Sequence, residues 1–207
     1  MALARQFEAS ATRGSTEIDG VRLQVREAGA GRPVVVIGGG TQADALLSGL
    51  SERNRVIAID TSGATSAREL ARGVAQVLTK LAVERASAIG VSGGASIALA
   101  HAILAPDRID KLILLSPPAA LDAELRAGLS QIKAPTLVMV GTRDRSGAAE
   151  TMRAIKEQAG ACHVLLIYDA GDAILVDRPE ACIPPISEFL ERGVEFVVCH
   201  ESQVIRR

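Results

Sequence analysis

The sequence predicts an α/β protein: a mostly parallel sheet with helices on both faces. Three observations predict it. The apolar runs at Val34 to Ile37, Val56 to Asp60, Ala86 to Val91, Leu112 to Leu115 and Thr136 to Val140 show little polar alternation, as strands covered on both faces do. Stretches of helical character separate most of them, so strand and helix alternate along the chain. Ahead of them all, Thr16 to Val25 alternates around Asp19-Gly20, the mark of a β-hairpin at a sheet edge.

Residues 1 to 14 have no clear period and read as a loose lead-in. Gly38-Gly39-Gly40 ends the first buried strand, and Asp44 to Arg53 follows with helical character. Ser66 with Glu69 three residues on makes a capping box, and Leu70, Val74, Val77, Leu78 and Leu81 then fall on one helix face. Ala95 to Leu104 is rich in helix formers and is stopped by Pro106-Asp107. Only Ala119 to Lys133 separates the strands ending at Leu115 and starting at Thr136, too little for a cap domain over the sheet edge. Ala148 to Ala159 reads as a helix, His163 to Tyr168 as a strand and Pro185 to Arg192 as a helix after Pro184-Pro185. Val194 to Cys199 reads as a final strand within a tail of residues 194–207, and as an apolar edge it can pair with another chain, which leaves an oligomer open.

A chain of 207 residues suits one domain spanning residues 1–207. Hydrophobic residues make up 48%, yet no run is long enough to cross a bilayer, and MALARQFEAS lacks the apolar core of a signal peptide. A cytoplasmic location is the expectation. Cys162, Cys182 and Cys199 are widely spaced, with no histidine at ligand distance in sequence, so no disulfide framework, metal or other cofactor is expected. Net charge is −1 with both signs scattered, which argues against nucleic acid and membrane partners. Aromatics at 2% argue against a pocket that stacks bases or sugars.

The most informative stretch is ASAIGVSGGASIALAHAILA, Ala86 to Ala105, which reads strand, sharp turn, helix around Gly90-Val91-Ser92-Gly93-Gly94. A G-x-S-x-G pattern in that context forces the serine into a strained backbone that lifts its hydroxyl off the sheet. Glycines two residues to either side let strand and helix cross closely. The first glycine turn has two readings. Gly38, Gly40 and Ala43 fit a loose dinucleotide fingerprint, with Asp60 ending the next strand where an acid would hold a ribose. Against that, the fingerprint normally follows the first strand of its sheet, and here a hairpin precedes it. On the other reading these amides form half of an oxyanion hole, with the Gly93 amide as the other half.

From about Thr16 to Arg192 the chain resembles the α/β-hydrolase fold family, through IDGVRLQVREAGAGRPVVVIGGG, RVIAID, GVSGGASIALAHAILAPDRIDKLILLSPP, IKAPTLVMVGTRD and LLIYDAGDAILVDRPEACIPPISEFL. The resemblance implies Ser92 as nucleophile, amides near Gly40 and of Gly93 as oxyanion donors, and Asp144 as the acid of a Ser-His-Asp triad. It implies ester-type acyl transfer through an acyl-serine, and the scarcity of aromatics points to a small acyl ester as substrate. The family's base is expected after the strand ending near Tyr168, in a segment that usually reads Gly-His. Here the segment reads Ala170-Gly171-Asp172-Ala173, so Asp172 stands where the histidine belongs.

An ordinary aspartate, with a pKa of about 3.9, is too weak a base to activate a serine strongly. The other histidines are poor substitutes. His101 lies nine residues beyond Ser92, more than about 10 Å along a helix. His163 starts a strand whose far end faces the site. His200 would follow an outermost strand, about four strands at ~4.8 Å each from Ser92. Two functions therefore lead: a small serine hydrolase of esterase or thioesterase type with an incomplete triad, and a catalytically inactive hydrolase-fold protein that binds a small molecule or protein partner; dinucleotide binding through Gly38, Gly40 and Ala43 stays as the lesser alternative.

Overall fold

In the computed structural model, residues 12–18, 21–61 and 66–197 are described. A hairpin of β1 (Thr12–Ile18) and β2 (Val21–Ala28) opens the fold, followed by β3 (Arg32–Ile37), α1 (Gly40–Leu50), β4 (Asn54–Asp60), α2 (Ala67–Lys80), β5 (Ala86–Val91) and α3 (Gly93–Leu104). Next come β6 (Ile109–Leu115), α4 (Ala123–Gly128), β7 (Thr136–Gly141), α5 (Ala148–Gln158), β8 (Cys162–Ile167), the short α6 (Ile174–Asp177) and α7 (Pro179–Arg192). The strands form one sheet in the order β1-β2-β4-β3-β5-β6-β7-β8. β1 and β2 run antiparallel; β3 to β8 are mutually parallel. β5 lies inside the sheet with neighbours on both sides, which anchors the turn that follows it.

Each buried strand feeds two cores. Val35 and Ile37, Ile57 and Ile59, Leu112 and Leu114 pack with α2, α3 and α5. Their alternates Val34 and Val36, Val56 and Ala58, Ile113 and Leu115 pack with α1, α6 and α7. Both faces are covered, hence the unbroken apolar runs. The capping box also forms in part: Ser66 Oγ accepts from the Glu69 amide at 3.4 Å, and Leu70, Val74, Val77 and Leu78 are buried beneath α2.

Four boundaries depart from the sequence reading. β1 begins at Thr12, inside the expected lead-in; residues 1–11 and the Asp19-Gly20 turn lie outside the described residues. α1 runs from Gly40 to Leu50 rather than Asp44 to Arg53. Its core-facing set of Ala43, Leu46, Leu47 and Leu50 starts early, and the Asn54 side chain, donating through Nδ2 to the Leu50 carbonyl at 3.1 Å, takes up an acceptor that the next turn would have used. α7 starts at Pro179 and passes through Pro184 and Pro185; burial of Cys182, Ile186, Phe189 and Leu190 on one face outweighs the lost backbone bonds. The expected last strand is a 3₁₀ turn, Gly193–Val197, because Gly193 ends α7 at φ 62° and Phe196 folds back edge-on to Phe189 and His163. Among the described residues β8 is then the last strand at that edge of the sheet. Cys199 and His200 lie outside the described residues.

Candidate active site around Ser92

Ser92 occupies the turn from β5 into α3 with φ 50° and ψ −117°, a conformation that costs a non-glycine residue about 1–3 kcal/mol. Its backbone is pinned: the Ser92 amide donates to the Leu115 carbonyl at 2.9 Å, and its carbonyl accepts from the Ala95 amide at 3.0 Å. The flanking glycines are required by packing. A Cβ on Gly90 would sit 2.5 Å from Ala95 Cα, and one on Gly94 would sit 2.0 Å from the Ile37 carbonyl oxygen. The side chain of Ser92 is half-buried, at a groove of about 360 Å³ lined by Ser92, Gly38, Gly39, Gln42, Ser66 and Ile97 among others.

The two turns proposed as oxyanion donors meet here, since the backbone of Gly94 rests on Ile37 and Gly38. α1 begins at Gly40 and α3 at Gly93, so both helices present amides with no intrahelical acceptor, and the positive ends of both dipoles, toward one region. The Gly38 amide is already spent on the Ile59 carbonyl at 3.1 Å. Gly38 and Gly39, not Gly40, line the groove.

The expected acid and base fare differently. Asp144 lies just past β7, half-buried, with Oδ1 accepting from the Ser146 amide at 2.6 Å. Its Oδ2 is buried without a hydrogen-bond partner. Asp172 is exposed, in the bend between β8 and α6, with no hydrogen bond or ion pair to any described residue. The backbone around it is held: the Arg143 amide donates to the Ala170 carbonyl at 2.8 Å, Arg143 also donates to the Asp169 carbonyl at 2.7 Å, and the Gly171 amide donates to Asp177 at 2.7 Å. The acid turn and the base loop thus touch through their backbones, while Ser92, Asp144 and Asp172 are not joined by hydrogen bonds.

What Ser92 does contact is Gln42, whose Nε2 lies 3.4 Å from Ser92 Oγ and whose Oε1 accepts from the Leu175 amide at 3.5 Å. The sequence reading missed this residue. Its one signal was a polar side chain two positions past Gly40, at the mouth of the glycine turn. Ser116 was missed as well: it follows β6, is buried with φ 43°, and its Oγ has no partner. Val91 pairs with Leu115, so Ser92 and Ser116 end neighbouring strands at the same level.

Neither described histidine reaches the site. His101 is buried in α3; burial first, then the Arg108 guanidinium, push its ring from 6.5 down to about 4, opposed by a backbone hydrogen bond at Ala71. His163 sits near the start of β8 with its ring edge-on to Phe189 and Phe196 at 6.1 and 6.2 Å. Among the described residues no group of three His, Cys, Asp or Glu side chains is gathered for a metal, and no helix is long and apolar enough to cross a membrane. A larger cavity, about 600 Å³, opens at the opposite end of the strands beside Arg32, Glu52, Arg53 and Glu191, away from Ser92.

This architecture aligns over 94% of its length with a membrane phospholipase A described as a bacterial virulence factor, at TM-score 0.81, 19% identity and 89% coverage of that chain. A carboxylesterase from Bacillus subtilis aligns at TM-score 0.77 and 14% identity, covering 91% of this chain and 96% of that one. The chain has the α/β-hydrolase fold. At such identities the likeness concerns the fold alone. No protein-family model matches the sequence. A homoserine O-acetyltransferase from Thermus thermophilus is 46% identical over 52 residues, which is 25% of this chain and only 14% of that relative's length. Within the α/β-hydrolase fold, Ser92, Asp144 and Asp172 follow the C-terminal ends of β5, β7 and β8, and β6, which Ser116 follows, lies between β5 and β7.

Proposed function

We propose that this chain is a serine hydrolase of esterase or thioesterase type acting on a small acyl ester, with Ser92 as the nucleophile. The observation that carries the reading is the strained Ser92 backbone, at φ 50° and ψ −117°, at the mouth of a groove of about 360 Å³. A groove of that volume falls in the range of small-molecule sites, about 300–1,000 Å³. Ser92 Oγ would attack the acyl carbonyl; the C–O or C–S bond breaks, the alcohol or thiol leaves with a proton, and water then cleaves the acyl-serine. Helix N-terminal amides, among them that of Gly93, supply donors for the charge that develops on the carbonyl oxygen. With no imidazole at the nucleophile among the described residues, its proton passes to solvent on this reading, and turnover is slow.

Exposure to a fluorophosphonate probe tests the reading: an adduct at Ser92 that is absent from Ser92→Ala supports it, and no adduct after prolonged incubation ends it. A second reading, binding of a small ligand without hydrolysis, is favoured by the unpartnered Asp144 Oδ2 and the exposed Asp172. On that reading Ser92→Ala keeps its ligand affinity while the wild type shows no turnover.

A further inference from the structure

The base loop and the nucleophile elbow are far apart in sequence, and in this structure one neutral side chain ties them together. Gln42 projects from the first turn of α1 into the groove. Its two polar atoms are used at once, one on Ser92 Oγ at 3.4 Å and the other on the Leu175 amide at 3.5 Å. The orientation of the amide is fixed by its partners. A backbone N–H such as that of Leu175 can pair only with an acceptor, so Oε1 faces Leu175 and Nε2 faces Ser92. Leu175 lies in the first turn of the short helix α6 (Ile174–Asp177), where amides have no intrahelical partner. Gln42 therefore serves the helix that follows Asp172 and the nucleophile together.

We infer that Gln42 is a positioning residue for Ser92: it bridges the nucleophile to the loop that would carry the base, and its N–H stabilises negative charge on Oγ where no imidazole of the described residues takes the proton. This rests on reading Ser92 as the nucleophile. The chemistry follows from the direction of the bond. A donor aimed at Oγ interacts more strongly with the alkoxide than with the hydroxyl and so favours ionisation. The amide cannot itself accept the serine proton; that proton leaves to water or hydroxide, and the O–H bond breaks as the bond from Oγ to the acyl carbon or probe phosphorus forms. Reaction at Ser92 should then rise steadily with hydroxide concentration between about pH 6 and 9, with no plateau at an imidazole pKa near 6.5.

The test compares wild type, Gln42→Ala, Gln42→Glu and Ser92→Ala by two readouts: hydrogen exchange of the Leu175 amide, which needs no activity, and the rate and pH profile of fluorophosphonate labelling. Gln42→Ala should speed Leu175 exchange and slow labelling about tenfold, as expected for loss of one modest hydrogen bond. Gln42→Glu keeps an oxygen for Leu175 but sets a carboxylate against Oγ, so Leu175 stays protected while labelling slows at least as much. Ser92→Ala should leave Leu175 protection as in the wild type. Wild-type labelling rates in both Gln42 variants, or unchanged Leu175 exchange in Gln42→Ala, overturn the inference while leaving the hydrolase reading intact. A plateau near pH 6.5 overturns it as well, since a base would then be at work. No labelling of the wild type would overturn the charge-stabilising role and the hydrolase reading together, even with Leu175 protection dependent on Gln42.

Discussion

The turn after β5 and the loop after β8 both belong to the candidate site, yet different forces hold them. Around Ser92 the fold has little freedom: the Gly94 backbone lies against the Ile37 carbonyl, Gly90 lies against Ala95, and the serine amide is bonded to β6. Around Asp172 the backbone is fastened at Ala170 and Gly171, but the side chain at 172 stands in solvent without a described partner. A residue can change there at almost no cost to folding, whereas the elbow's glycines cannot change without moving a strand. The elbow glycines thus answer to packing, and the residue at position 172 answers to chemistry.

The sharpest way to break this contrast is to add one methyl group on each side of it. Gly94→Ala places a Cβ 2.0 Å from a backbone oxygen of β3, and neither partner can rotate away. We expect a loss of more than about 4 kcal/mol, or failure to fold, measured by urea unfolding. Gly171→Ala meets only the Asp177 carboxylate at 3.3 Å and should change stability by less than about 1 kcal/mol. Comparable losses at both positions would mean that the base loop is as tightly determined as the elbow.

A gain of function sharpens the same contrast. If only the side chain at 172 separates this site from a working triad, Asp172→His should raise ester hydrolysis by about 10²–10⁴-fold. Activity should rise with pH as the imidazole loses its proton, with a midpoint near its ordinary pKa of about 6.5. The unpartnered Asp144 Oδ2 is the natural acceptor for the second ring N–H. Adding Asp144→Asn should therefore remove at least about tenfold of the gain, a coupling that independent sites would not show. No gain between about pH 6 and 9 would mean that position 172 does not face the nucleophile once it carries a ring.

How far the sequence could be read follows the same division. Features set by local steric rules were legible: the strand-turn-helix around Ser92, the Ser66 cap and the runs buried on both faces. Elements decided by tertiary packing were not. α7 continues through Pro184-Pro185 because its apolar face is buried, and the tail turns back at Gly193 because Phe196 finds Phe189 and His163; in both, burial overrode local propensity. The Gln42 contacts span sequence separations of 50 and 133 residues, which no periodicity encodes. Ser116 was hidden for another reason: a serine before two prolines reads as an ordinary strand end, and its positive φ is visible only in the folded chain.

The smallest expected effect probes whether the elbow carries strain beyond what packing demands. Gly90 and Gly94 are needed for space, but nothing in the packing needs a side chain at 92, and φ 50° with ψ −117° is open to glycine without penalty. Ser92→Gly should therefore release about 1–3 kcal/mol of backbone strain and lose about 0.5–1 kcal/mol to the greater freedom of the unfolded chain. The net expectation is stabilisation by about 1 kcal/mol, seen as a higher urea midpoint at unchanged slope. Ser92→Ala keeps the Cβ and with it the strain, so it should show no such gain. If both variants behave alike, the serine is seated without strain, and the elbow is simply the cheapest way to join β5 to α3. A gain confined to glycine would mean that stability is given up to hold a hydroxyl at this position, a cost that packing does not impose and that a reacting nucleophile explains.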